Sequence, residues 1–277
     1  MLILLHLKLN HLIEEKKLEE AQIRLAVFIG LFVSMALLEH FSPRRKLRPV
    51  KVKRWFTNWA IILLDSLLVR LVFKTAAVGG ALWASDNNIG LFNLVTLPYW
   101  LAFVVSFIIL DFSVWLSHVA SHKIPIFWRI HRMHHSDIDI DVTTAIRFHP
   151  IEILLSMLWK YAIVLLLGAP AASVLLFEIV LNGGALFNHS NWRMPKVVDR
   201  YLRLIIVTPD MHRVHHSSEQ NETDSNYGFN FSFWDRLFKT YIDQPKLGHD
   251  KMQIGLKDWQ DESPSRLLWS LLVPFKK

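Results

Sequence analysis

No cysteine occurs in the 277 residues. Disulfides, thiolate metal sites and iron–sulfur clusters are therefore excluded, and so is a thiolate-ligated haem. A dinucleotide-type glycine fingerprint is missing as well, and no region is left over for a cytochrome b5-like haem domain. A flavin or haem reductase module is thus not expected within the chain. Apolar residues, by contrast, make up 52%. They fall in long blocks, at 22–41, 57–82, 91–117 and 151–187, rather than alternating with polar ones. A bilayer core takes about 20 apolar helical residues to cross, and several blocks reach that length. An integral membrane protein is expected. The opening "MLILLHLKLNHLIEEKKLEEAQ" puts its short apolar run before its charges and has no small-residue cleavage site. It lacks the layout of a signal peptide, and residues 1–21 read as an amphipathic segment on or near the membrane surface.

Acid is absent from "RRKLRPVKVKR", residues 44–54, which carries seven Lys and Arg, as many as the whole net charge of +7. A basic run can mark nucleic acid. Lying directly between two apolar spans, it is better read by the positive-inside rule as a cytoplasmic loop, and no nucleic-acid partner is expected. That places the first span outside-to-inside and the second, about residues 57–80, running back out between Trp55, Trp59 and Trp83. The third, about 95–117, returns to the cytoplasm and delivers His118 and His122 there. "IEILLSMLWKYAIVLLL" and "AASVLLFEIVLNGGALF" flank "GAP" at 168–170. Each arm is roughly 26 Å as helix, so a hairpin entering and leaving by the cytoplasmic side is expected. Lys160 and Glu178 each lie nine residues from Ala169. Antiparallel arms would bring them to one depth as an ion pair, since an unpaired charge there costs about 2.5–3.5 kcal/mol. The apolar "LLWSLLVPF" at 267–275 is expected to lie along the interface. The expected layout is all-α: about four transmembrane helices or hairpin arms plus a span near the N-terminus, under a cytoplasmic histidine-rich helical cap with a dinuclear metal site. Its parts are the N-terminal segment 1–21, membrane helices and basic loop 22–94, a catalytic domain 95–245 and an interfacial tail 246–277.

The cap holds most of the fourteen histidines. "HVASH" sets His118 and His122 one helical turn apart; "HRMHH" sets His131, His134 and His135 at i, i+3 and i+4, and "HRVHH" repeats this with His212, His215 and His216. A single histidine is most often a satisfied surface or core residue, but a given one begins HxxHH by chance only about once in 400. Eight such imidazoles, with His189 besides, exceed what one metal accepts. Two metals with four or five ligands each would use them, and imidazole suits iron, zinc, copper or nickel. Neutral ligands leave an electrophilic pair suited to O2 activation when the metal is iron. Zinc outcompetes ferrous iron at such sites and is expected as a substitute in purified protein.

The stretches "DFSVWLSHVASH", "HRMHHSD", "RFHPIE", "FNHSN", "TPDMHRVHH" and "NYGFNFSFWDRLFKTY", across about 100–245, resemble the fatty acid hydroxylase/sterol desaturase superfamily of membrane di-iron oxygenases in order, spacing and flanking residues. The resemblance implies that His118, His122, His131, His134, His135, His189, His212, His215 and His216 ligate two irons beneath which about four membrane helices bundle. His149 occupies a motif position and is expected near the site. Some relatives carry a further histidine just after the position of His189, where this chain has "SNWRMP". The second metal is then left with an open position, a water, His149 or a nearby carboxylate.

Metal-bound imidazoles normally donate their second N–H to a carboxylate or carbonyl. Asp111, Asp210 and Asp235 are candidates for that role. Asn226 and Tyr227 are expected to shape the pocket, and "DIDID" at 137–141 reads as a solvated loop. The leading function is a monooxygenase that hydroxylates an aliphatic C–H of a lipid, using O2 and electrons from a separate donor such as a ferredoxin, cytochrome b5 or a reductase. A desaturase using the same ligands is the alternative. A metal-binding or transport protein needs ligands along a membrane path, whereas these gather at one face. Bis-imidazole haem needs opposed single histidines rather than triplets.

Overall fold

In the computed structural model, residues 2–73 and 77–276 are described, with side chains described from residue 20 onward. Every regular element among them is helical. The first helix, α1 (Leu2–Phe41), carries an apolar segment from Glu20 to Phe41 long enough to cross a membrane. The expected amphipathic segment 1–21 is continuous with it in backbone, and its amphipathy concerns side chains that lie almost wholly outside the described residues. Three more helices are long and apolar enough to span: α5 (Tyr99–Lys123), α7 (Pro150–Leu167) and α8 (Ala171–Asn188).

The second expected span departs from its prediction. α2 (Lys51–Val72) ends at Val72, α3 (Ala77–Asp86) starts a separate helix, and α2 does not meet the apolarity of the other four. Its buried face is polar, with Arg54, Thr57, Asn58 and Asp65, while Leu63, Leu67 and Leu71 point outward. The chain nonetheless travels the full depth of the bundle between them. Arg54 sits among the cap acids, and Gly90, before the short α4 (Leu91–Leu94), abuts the hairpin turn.

That turn is fixed by Gly168, whose φ of +63° is a left-handed cap for α7; its N–H reaches the Val164 carbonyl, and Pro170 then opens α8. A Cβ on Gly90, itself at φ +96°, would fall 2.2 Å from the Gly168 nitrogen. Two glycines are therefore required where these loops meet. The arms pair as expected: Lys160 Nζ lies 2.6 Å from Glu178 Oε1. Arg24 of α1 adds a contact not foreseen, at 2.7 Å from Glu178 Oε2, and also pairs with Glu20. Around this network, Leu110, Val164, Val174 and Phe177 form the apolar core with α3.

At the opposite end from Gly168, α6 (Pro125–His135) follows α5 directly, and α9 (Lys196–Leu202) and α10 (Pro209–His215) follow α8. The acids of "DIDID" are not solvated. Asp137, Asp139 and Asp141 are buried, and Arg54 donates to Asp137 at 2.5 and 2.8 Å and to Asp141 at 2.7 Å. Asp141 also caps the 3-10 turn Val142–Ile146. Arg147, fully buried, donates to Met133 O, Asn58 Oδ1 and Pro264 O, tying α6, α2 and the C-terminal segment together. The final helix, Leu267–Leu272, exposes Leu268 and Leu272 on its outer face.

Candidate metal centre

Three helix ends and one helix exit bring the nine histidines together. α5 contributes His118 and His122 from its last two turns, and Pro125 then starts α6 at once. α10 begins at Thr208, whose hydroxyl accepts from the Met211 N–H, and its seven residues present His212 and His215, with His216 just beyond. His189 is the residue after α8. All nine are buried, the most accessible being His122 at 8%.

They form two groups. His118, His122, His131, His135 and His215 each offer a ring nitrogen within 4.8 Å of the others, and His134, His189, His212 and His216 do the same. Each HxxHH cluster is split between the groups in opposite senses. On α6 the i and i+4 members join the first group and the i+3 member the second; on α10 the i+3 member joins the first and the others the second. The motif occurs twice because each helix serves both groups.

Hydrogen bonds fix the ring tautomers. Nδ1 of His118, His134, His189 and His215 faces the carbonyl oxygens of Tyr227 (2.7 Å), Arg147 (3.1 Å), Ala185 (2.7 Å) and Ser225 (2.7 Å). A carbonyl only accepts, so each Nδ1 carries the proton and each Nε2 presents a lone pair. Nε2 of His189 nevertheless sits 3.1 Å from Nε2 of His134, and 3.0 Å from that of His212. Nε2 of His118, His215 and His216 has no partner among the described residues. Buried lone pairs aimed at one another are repulsive until a cation lies between them. Burial first, and then neighbouring imidazoles, hold His134, His135, His212 and His216 well below the usual histidine range. Burial likewise lowers His189 to about 4 and His215 to about 3. At neutral pH they are therefore neutral donors, the form a metal takes.

The carboxylate nearest one of these rings is one the sequence did not single out. Glu152 Oε1 stands 2.6 Å from His131 Nδ1, in the first turn of α7. The signal was an acid at the mouth of an arm whose other charge is Lys160, but nothing in the spacing ties it to a residue 21 positions earlier. Asp224 Oδ1 is 3.4 Å from His122 Nδ1 and its other oxygen takes Lys123. Asp111 meets none of the nine rings; it accepts from Asn230, Trp234 and the Phe231 N–H. Asp210 pairs with Arg213 and Arg44 rather than with His212. Asp235 works one step removed: it accepts from the N–H of Tyr227 and Gly228, holding the loop whose carbonyl orients His118. Asn226, in the left-handed region at φ +48°, braces that loop through Met211 O and Ile242 O. Tyr227 is fully buried, its ring 5.2–5.8 Å from His118, His122 and His215 and its hydroxyl without a partner among the described residues. His149 joins neither group. It caps α7 by accepting from the Ile151 N–H, and its Nε2 faces the Leu271 carbonyl. Phe148 stacks on His134 at 4.2 Å, and Trp128 and Phe229 flank the first group, so aromatic rings wall the site from water.

Residues 103–240 match the family model described as fatty acid hydroxylase. Over 143 residues the chain is 34% identical to the ornithine lipid hydroxylase OlsE of Rhizobium tropici, a match covering 52% of this chain and 42% of that one. It is 30% identical to the human alkylglycerol monooxygenase over 195 residues, 70% of this chain and 40% of that protein. The Xenopus tropicalis alkylglycerol monooxygenase is 26% identical over 222 residues, 77% and 46% of the two chains. The chain thus spans less than half the length of these curated relatives. No solved structure matches it.

Proposed function

Since the chain belongs to the fatty acid hydroxylase superfamily, we propose that it hydroxylates an aliphatic C–H bond of a membrane lipid with O2 and externally supplied electrons. The observation that carries the reading is the pair of buried imidazole groups with converging Nε2 lone pairs at the mouth of an apolar helix bundle. The reaction balances as R–H, O2, two electrons and two protons giving R–OH and water.

Two irons, one per group, would supply O2 activation and the oxidising power for C–H cleavage. The chain's own residues do the rest. Glu152 and the Tyr227, Arg147, Ala185 and Ser225 carbonyls hold the rings in one tautomer and orientation. Trp128, Phe148 and Phe229 exclude water that would quench a reactive site. α5, α7 and α8 offer apolar surface along which a chain can reach that site. The relatives' names, a hydroxylase and a monooxygenase, favour hydroxylation over desaturation. The basic loop 44–54 lies at the cap end, which by the positive-inside rule supports a cytoplasmic cap.

Lipid profiling of cells with and without the gene tests the reaction. A product heavier by one oxygen, lost with His134→Ala and with His215→Ala, is expected. Products lighter by two hydrogens would give the desaturase reading instead, and no change in any lipid would sink both. Metal analysis of iron-supplied protein should return two irons per chain.

A further inference from the structure

One cavity lies away from the nine clustered histidines, where α1 ends. It measures about 650 Å³ and is lined by Arg44, Arg45, Lys46, Lys51 and Arg193, with Glu39 and Asp250 as the acids. Asp250 sits at the rim and is occupied by Arg44, at 2.6 Å. Glu39 is bound into the frame, its Oε1 accepting from the N–H groups of Val142 and Asn191. Arg45, Lys46, Lys51 and Arg193 form no salt bridge among the described residues, and Nη1 of Arg45 is buried with no partner there. Four cations around one concavity, none in direct contact with a carboxylate, make it favourable for an anion to join them.

The cavity is also preformed. Asn191 clamps the backbone of the basic loop, accepting from the Arg45 N–H at 3.1 Å and donating to the Arg45 carbonyl at 2.8 Å, while its own carbonyl takes the Arg44 N–H at 2.6 Å. Little ordering is left to be done when a ligand arrives. Its depth is marked by α1. Leu25, Ile29, Val33, Leu37 and Phe41, spaced by four, are all exposed and make one lipid-facing stripe. The stripe stops at Phe41, between His40 and Pro43, which line the cavity. A lipid whose chain follows that stripe carries its phosphate to this mouth, and the size suits a headgroup.

We propose that this cavity binds a phosphate anion, supplied by the headgroup of an anionic phospholipid lying against α1. The site stands apart from the reaction proposed above, since it uses none of its residues. Full-length protein in a neutral detergent and phosphate-free buffer is titrated with dihexanoyl phosphatidic acid, dihexanoyl phosphatidylcholine or inorganic phosphate, following the thermal midpoint. Saturable stabilisation by phosphatidic acid is expected, with affinity about tenfold above the other two and falling as salt rises. Arg45→Gln with Lys46→Gln should weaken it by about tenfold while leaving the ligand-free midpoint in place, because neither side chain donates a hydrogen bond among the described residues. If the double variant melts early, Lys46→Gln alone, at an exposed position, carries the comparison. Equal stabilisation by inorganic phosphate would overturn the headgroup assignment. Equal stabilisation by phosphatidylcholine, or undiminished binding in the variants, would overturn the site. Undiminished lipid binding with lost reduction by an acidic donor protein would give this surface to that protein instead.

Discussion

At the scale of single residues, the site separates those that would bind metal from those that aim them. Removing His134 or His215 takes one donor from each of the two groups respectively. His134→Ala and His215→Ala are each expected to abolish turnover and lower metal content, with the protein still inserting in the membrane; retained activity at full metal content would refute the assignment. Glu152→Ala should be milder. It frees the His131 ring without removing it, and losing such an outer partner typically lowers metal affinity by 10–100-fold. Metal competition with a chelator reads that loss directly, and an affinity equal to the parent's would remove Glu152 from the site. Eight of the nine histidines that the structure gathers were legible because their spacing is improbable by chance, and His189 through the family resemblance. Glu152 was not, since its partner is on another helix and only the fold brings them together. The aspartates chosen by nearness in sequence went elsewhere for the same reason: Asp210 is two residues from His212, yet the helix turns it to Arg213 and Arg44.

At the scale of elements, two buried ionic clusters fasten the helices. Arg54 of α2 neutralises Asp137 and Asp141 beside the last turn of α6, and all three are fully buried. Arg54→Met should leave two buried carboxylates without a cation and cost about 3–5 kcal/mol, seen as a lowered thermal midpoint and loss of metal. A shift within a degree of the parent would show the acids to be satisfied by other donors. These acids look like a solvated loop in the sequence because their cation lies 83 residues earlier. The hairpin pair was visible, by contrast, because both partners stand at equal distance from one turn. Arg24 changes what its mutants should show. Glu178→Gln strands Lys160 and leaves Arg24 with Glu20 alone, and should destabilise most, whereas Lys160→Met leaves Glu178 with Arg24 and should cost less. Adding Lys160→Met to Glu178→Gln recovers part of the loss. Strictly additive losses in a double-mutant cycle would show that the three do not interact. The second span is built from two helices in place of one, and apolar content, which α2 has, does not reveal that its inward face is polar.

At the scale of the whole molecule, the absence of cysteine makes topology directly measurable. Lys46→Cys at the cap end and Asp86→Cys near the hairpin turn are each at an exposed position, and each would be the chain's single thiol. In sealed right-side-out vesicles, an impermeant maleimide should label the second without lysis and the first only after it. The reverse pattern would put the cap outside. The reciprocal division of the two HxxHH clusters has a further consequence, for redundancy. Take away the three histidines of α6, and each group keeps three members: His118, His122 and His215 in one, His189, His212 and His216 in the other. Take away the cluster at α10, and the first group keeps His118, His122, His131 and His135 while the second is left with His134 and His189 alone. The wiring is thus uneven: loss of the α6 cluster leaves three members in each group, and loss of the α10 cluster leaves four in the first but only two in the second, which makes the shorter of these two helices the point at which the second group fails.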